Sequence, residues 1–220
     1  VAQCKLMQLK DPQRIDSAGG LIDYLGFSFS KSHDEINHAN KLNVEEIFYA
    51  DGAALLIKRK IVEEVKIRKS LFDPSFWLCN EDLDLGWRVH LMGYKVVMVP
   101  TSVVYHDRGG THSRKMTPPL ALHQTKNRLM TIISNYEPKN LVKYFPLTLS
   151  LEIVATGYLL FKRPQIGISK LKGILWTFRK MRQICERRTF IQCNRKICDD
   201  ALKPIEKTKI WYLLGVLSQY

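Results

Sequence analysis

The first nine residues (VAQCKLMQL) read as an apolar strand, and KDPQ at 10–13 as the turn that ends it. Residues 17–26 (SAGGLIDYLG) have glycines at both ends and read as loop and strand, whereas 30–43 are polar without period and read as a surface loop. From 47 to 65 the pattern passes through a strand or turn at Asp51 and Gly52. It then gives an apolar run (53–57), a basic stretch (58–60) and a short helix (61–65). LFDPSFW at 71–77 is a turn carrying aromatics. Leu85, Val89 and Met92 recur at helical spacing and predict a helix from Glu81 to about Met92 with these residues toward the core. Asn80 stands where a cap is needed, first-turn carboxylates suit the positive end of the helix dipole, and Gly93 suits its stop. Asp84 and Arg88, four apart, can pair. YKVVMVP (94–100) then reads as a strand, TSVVYH (101–106) as a second extended piece, and DRGGTHSR (107–114) as a glycine-containing loop.

Beyond residue 120 the pattern turns helical. Residues 121–136 form one predicted helix. Residues 144–161 are apolar apart from Glu152, a length at the lower edge of a membrane span with a charge that counts against one. Pro164 breaks the chain. Residues 166–184 then place Ile168, Leu171, Ile174, Leu175, Phe178, Met181 and Ile184 on one face and lysines and arginines around the rest, a basic amphipathic helix. WYLLGVL at 211–217 is a last apolar patch.

Composition adds an asymmetry. The chain of 220 residues is 45% hydrophobic and 25% charged, ordinary for a globular protein. Residues 1–110 hold 14 Lys+Arg against 15 Asp+Glu, a net of −1, and residues 111–220 hold 20 against 6, a net of +14. The second half therefore calls for an anionic partner: a phosphate-bearing ligand, nucleic acid or an anionic membrane surface. No helix-turn-helix, zinc-finger or RNA-recognition signature is present, which argues against nucleic acid. The five cysteines contain no Cys-x-x-Cys pair and read as free thiols rather than a zinc site. The chain begins at Val1 with a strand already under way, so the expectation is an N-terminus cut from a longer protein.

The acidic stretch NEDLD (80–84) taken alone reads as a helix start, and His106, 24 residues beyond Asp82, as a structural histidine at a strand end. Together they suggest more, because a helix followed by a returning strand can bring a carboxylate and an imidazole to one mouth. In order and spacing, DGAALLIKRK, LFDPSFW, EDLDLGWR, GYKVVMVP and YHDRGGTHS resemble family-2 glycosyltransferases, closest to rhamnosyltransferase-like members that build cell-surface polysaccharides. RIDSAGG (14–20) and KNRL (126–129) also look like family features.

The resemblance implies an α/β fold. This would be an incomplete GT-A (Rossmann-like nucleotide-diphospho-sugar transferase) core with its acceptor-side part at 1–118, followed by a basic, mostly helical, membrane-associating region at 119–220. It implies Asp82 as general base on the acceptor hydroxyl in an inverting transfer, with Glu81 beside it and Asp84 with Arg88 as structural support. Asp51, Gly52 and Trp77 match the acceptor side; Trp77 and Phe76 read equally as a sugar platform or as core. His106 matches a metal ligand, and Gly109, Gly110, Ser113 and Arg114 match a loop closing over the donor diphosphate. The expected cofactor is a divalent metal, Mg²⁺ or Mn²⁺, whose Asp-x-Asp ligands do not occur as such here; DLD at 82–84 belongs to the acceptor-side motif, and KSLFD stands where relatives have GGFD. The expected partners are a nucleotide-sugar donor, a saccharide or lipid-linked acceptor, the anionic cytoplasmic face of a membrane, and a separate nucleotide-binding half. Residues 1–220 by themselves are then expected to turn over little, and the alternative reading is an inactive membrane-bound interaction module.

Overall fold

The computed structural model describes residues 1–37, 43–107, 116–202 and 205–206. The loop expected over Gly109, Gly110, Ser113 and Arg114 and the apolar patch at 211–217 lie outside them. The chain is mixed α/β. Strand β1 (Ala2–Gln8) runs parallel to the long strand β7 (Val96–His106). On its other edge β1 pairs antiparallel with β6 (Leu55–Leu56) at its start and β2 (Ile15–Ser17) at its end. Strand β5 (Glu45–Ile47) closes the far side of β7. A smaller sheet joins β3 (Gly20–Asp23) to β4 (Ser28–Ser30) and β8 (Ile205–Glu206).

The two extended pieces expected at 94–106 are one strand. Cys4 pairs with Val99, and Lys5 with Val103, so residues 100–102 bulge out of the ladder. Pro100 explains the break: it has no N–H to give a partner and is tolerated where pairing is interrupted.

Helix α1 (Arg59–Val65) and helix α2 (Glu81–Leu91) pack on the sheet. Their Ile61, Val65, Leu85 and Val89 join Met7, Ile15, Ile47, Val96 and Met98 in one apolar cluster. The predicted helix is therefore α2, buried from Leu83 through Leu91. Gly86 lets it come so close: a Cβ there would lie 2.4 Å from Tyr49 Cβ and 2.7 Å from the Phe48 carbonyl. Asn80 holds the cap position but does not cap, since its backbone is left-handed (φ 64°) and its side chain makes no capping bond.

Among the described residues four α-helices follow: α3 (Pro118–Asn135), α4 (Pro138–Lys162), α5 (Pro164–Arg179) and α6 (Met181–Asn194). The helix expected over 166–184 is broken at Lys180, so Met181 and Ile184 belong to α6. The helical region shares its core with the α/β region. Ile132 of α3, Tyr136 just past its end and Ile191 of α6 pack with Phe48, Leu83, Trp87 and Leu91. Trp87 sits between Phe48 and Tyr136, edge-on to both at 5.5 and 4.7 Å.

A buried ionic network fastens α2. Arg88 Nε donates to Asp84 Oδ2 at 2.9 Å, confirming the expected pair, and its other nitrogens reach the carbonyls of Val65 and Leu71. Asn135 of α3 donates to Asp84 Oδ1 at 3.0 Å. Arg187 of α6 lies 2.5 Å from Asp84 Oδ1 and donates through Nε to Asp73 Oδ2 at 2.9 Å. Removing one partner from such a network leaves a charge buried and unpaired. Arg187→Met should lower the unfolding free energy by about 3–5 kcal/mol, read from urea unfolding.

Candidate functional site: the acidic start of helix α2

Asp82 and Asp84 are two residues apart and look in different directions. Asp84 points into the core. Burial pushes its carboxyl up, but Arg187 and Arg88, with the Asn135 hydrogen bond, outweigh that and hold it below the usual carboxylate range. Asp82 is half-buried at the mouth of the helix, where its Oδ1 accepts from Leu83 N–H at 2.7 Å and its Oδ2 from Gly52 N–H at 3.4 Å. No cation pairs with it among the described residues. Burial, then the charges of Glu81 and Asp51, push its carboxyl up to about 7. Glu81 Oε2, inaccessible to solvent, has no hydrogen-bond partner among the described residues. The same surroundings, burial followed by Glu81 and Asp82, push the Cys79 thiol up to about 12, which keeps it from being a thiolate nucleophile at neutral pH.

The segment facing Asp82 is held from the sheet. Gln3, buried on β1, accepts from Asp51 N–H at 2.7 Å. Asp51 Oδ1 accepts from Ala53 N–H at 3.1 Å, folding residues 51–54 into a tight turn that brings Gly52 N–H to Asp82. Asp51, Gly52, Glu81 and Asp82 are thus brought together.

The approach to the helix is strained. Trp77, Cys79 and Asn80 all adopt positive φ (52°, 64° and 64°), a region that non-glycine residues enter at a cost of about 1–3 kcal/mol each. One side chain holds this segment. Asn127 Nδ2 donates to the carbonyls of Phe76, Leu78 and Cys79 at 3.0, 2.7 and 2.7 Å. Its neighbour Lys126 donates to the Ser75 carbonyl and to Asn127 Oδ1, fixing the amide's orientation. The two come from KNRL, a motif that carries no role by letters alone; an amide in mid-helix, where it is a poor helix former, is the one signal that it serves elsewhere. The strain separates the two aromatics. Phe76 is fully buried and is core, while Trp77 is 72% exposed, its ring 4.9 Å from that of His123.

His106 stands apart from this cluster. Its Nδ1 lies 2.7 Å from Asp16 Oδ2, in RIDSAGG, and His33 Nδ1 lies 2.8 Å from the Asp16 carbonyl. A buried carboxylate on Nδ1 fixes the ring, a buttress that metal-binding histidines usually have. Among the described residues, however, no three His, Cys, Asp or Glu side chains converge to hold a metal. The described residues therefore supply one buttressed donor without a complete metal site. Nor does β7 bring His106 to Asp82. His106 pairs with Gln8, whereas Asp51 is held by Gln3 at the other end of β1. Five residues at about 3.3 Å each put roughly 17 Å of strand between the two levels.

No family model matches this chain, and no curated protein matches it.

Two outcomes test the site's energetics. Between about pH 4 and pH 7 the folded protein keeps a proton on Asp82 that the unfolded chain has released, so this group makes stability fall as pH rises through that window. Asp82→Asn should match the parent near pH 4 and exceed it by about 2–4 kcal/mol near pH 8, measured by urea unfolding at both. Asn127→Ala should destabilise by about 2–4 kcal/mol at either pH, because buried carbonyls lose their donor.

Proposed function

We propose that this chain carries the acceptor side of a GT-A-type glycosyltransferase that moves a sugar, with inversion, from a nucleotide-sugar to a saccharide or lipid-linked hydroxyl. The observation that carries the reading is the division of one acidic cluster. Asp84 is committed to arginines in the core, while Asp82 meets no cation among the described residues and has a proton affinity near neutrality. A general base works best when its pKa is near the working pH. In this reading the acceptor hydroxyl lies against Asp82. Its oxygen attacks the anomeric carbon, the bond from that carbon to the nucleoside diphosphate breaks, and the hydroxyl proton passes to the Asp82 carboxylate. Gly52 N–H steadies the carboxylate, Glu81 orients the acceptor, and the exposed Trp77 ring offers a face to a sugar ring. The divalent metal that the resemblance implies has His106 as its one matching side chain among the described residues, and His106 lies away from Asp82.

The helical region bears on location. Among the described residues one helix, Pro138–Lys162, is long and apolar enough to cross a membrane, with a mean hydropathy of 1.4 in its most apolar window. That length and the positive second half support attachment to the cytoplasmic face of an anionic membrane, where lipid-linked acceptors would be met. An inactive membrane-bound module is the second reading, favoured by the apolar side chains that α4 and α5 expose, which need no transfer chemistry.

The deciding measurement is nucleoside-diphosphate release from a panel of nucleotide-sugars by the protein expressed from its own gene. Turnover should rise with pH to half its maximum near pH 7, and Asp82→Asn should lose about 10²–10⁴-fold. Turnover that survives Asp82→Asn removes Asp82 as base; no release with any donor favours the inactive module.

A further inference from the structure

Helices α4 and α5 are inside-out. The buried residues of α4 are Thr148, Glu152, Thr156 and Leu159. Those of α5 include Ser169, Lys170, Gly173 and Thr177. Their outward faces carry the apolar side chains: Val154 is 63% exposed, Phe161 90%, Ile168 45%, Leu175 42% and Phe178 48%. The apolar face of the predicted amphipathic helix points away from the protein, and Ile174 is its one buried member within α5. The two apolar faces adjoin. A Cβ on Gly167 would lie 2.5 Å from Leu160 N, so the helices touch backbone to backbone there. Phe178, eleven residues on, continues the same side of α5.

We infer that the α4–α5 hairpin is an in-plane membrane seat, its apolar outer face among the acyl chains of an anionic bilayer and its basic rim at the headgroups. A contiguous exposed apolar surface of this kind marks an interaction site, and the charges around it select the occupant. Lys162 and Arg163 at the hairpin turn and Lys172 and Arg179 along α5 are all exposed, as cations facing anionic headgroups must be. The hairpin lies along the bilayer and does not cross it. Glu152, midway along α4, accepts from Lys170 of α5 at 2.6 Å and from Thr125 of α3 at 3.3 Å, and pairs with Arg128 of α3. Helix α3 is in turn bonded to Asp84 and to the carbonyls before Glu81. A crossing α4 would either strip Glu152 of its cations inside hydrocarbon or draw α3 and the α/β core in with it.

This inference rests on the membrane-side part of the proposed function and is independent of the transfer chemistry. Sedimentation of the full chain with phosphatidylcholine vesicles, with and without phosphatidylglycerol, tests it alongside alkaline carbonate extraction of native membranes. Binding should require the anionic lipid, and carbonate should release the protein. Val154→Asp with Phe161→Asp should weaken binding about tenfold or more with an unchanged circular dichroism spectrum. Charge reversal at Lys162, Arg163 and Lys172 should do the same without touching the apolar face. Carbonate-resistant protein, with a cysteine placed at Arg163 shielded from reagents on the cytoplasmic side, would make α4 a span: membrane attachment would stand and the in-plane seat would fall. Absence of binding to either vesicle would overturn membrane attachment itself, and a dimer abolished by Val154→Asp would give the face to a second copy.

Discussion

Asp84 is ionised inside the protein, and two arginines from different helices must reach it for that to be tolerable. An isolated buried carboxylate would give up its charge or the fold. Satisfying it dictates much else. Arg88 has to lie one turn along α2, and its remaining donors draw in the carbonyls of Val65 and Leu71. Arg187 has to come from α6, which brings that helix against α2 and engages Asp73 on the way. Asn135 ties α3 to the same carboxylate. The packing of Trp87 with Tyr136 and of Leu91 with Ile191 fills the space that these polar contacts define.

The rigidity so obtained is spent one turn away, at the start of the same helix. Asp82 is close enough to Glu81 and Asp51 for their charges to raise its proton affinity, and among the described residues no guanidinium reaches it. Two carboxylates two positions apart in sequence thus differ in charge state near neutrality because a helix turns them about 200° apart. The left-handed residues before Glu81 fit this picture. A chain free to relax would leave that region, and the Asn127 amide is what prevents it.

Short-range features were readable from the sequence: the helix beginning at Glu81, its Asp84–Arg88 pair, the strand ending in His106, and the helices after residue 120. Each follows from periodicity or from contacts one turn apart. What was not readable depends on partners far along the chain. Arg187 is one arginine among many in a basic segment, and nothing local distinguishes it from a solvated one. Periodicity located the apolar stripe of α5 but could not say which way it faces, because Lys170 and Thr177 turn inward to meet α3 and α4 rather than water. The convergence of His106 with Asp82 failed on length: eleven residues of strand β7 reach about 36 Å, whereas eleven of helix α2 reach about 16 Å, so the return strand overshoots.

The contact between Asp73 and Arg187 spans 114 residues. During synthesis the carboxylates of α2 leave the ribosome well before the guanidinium that neutralises them, and the whole α4–α5 hairpin is made in between. Until α6 emerges, Asp84 has Arg88 and Asn135 but lacks its second guanidinium. The hairpin reaches solvent or lipid before that closure, so its placement precedes completion of the fold. The order of the genetic text thereby makes α6 a latch, and a chain stopped short of residue 187 would hold Asp73 and Asp84 without the guanidinium that joins them.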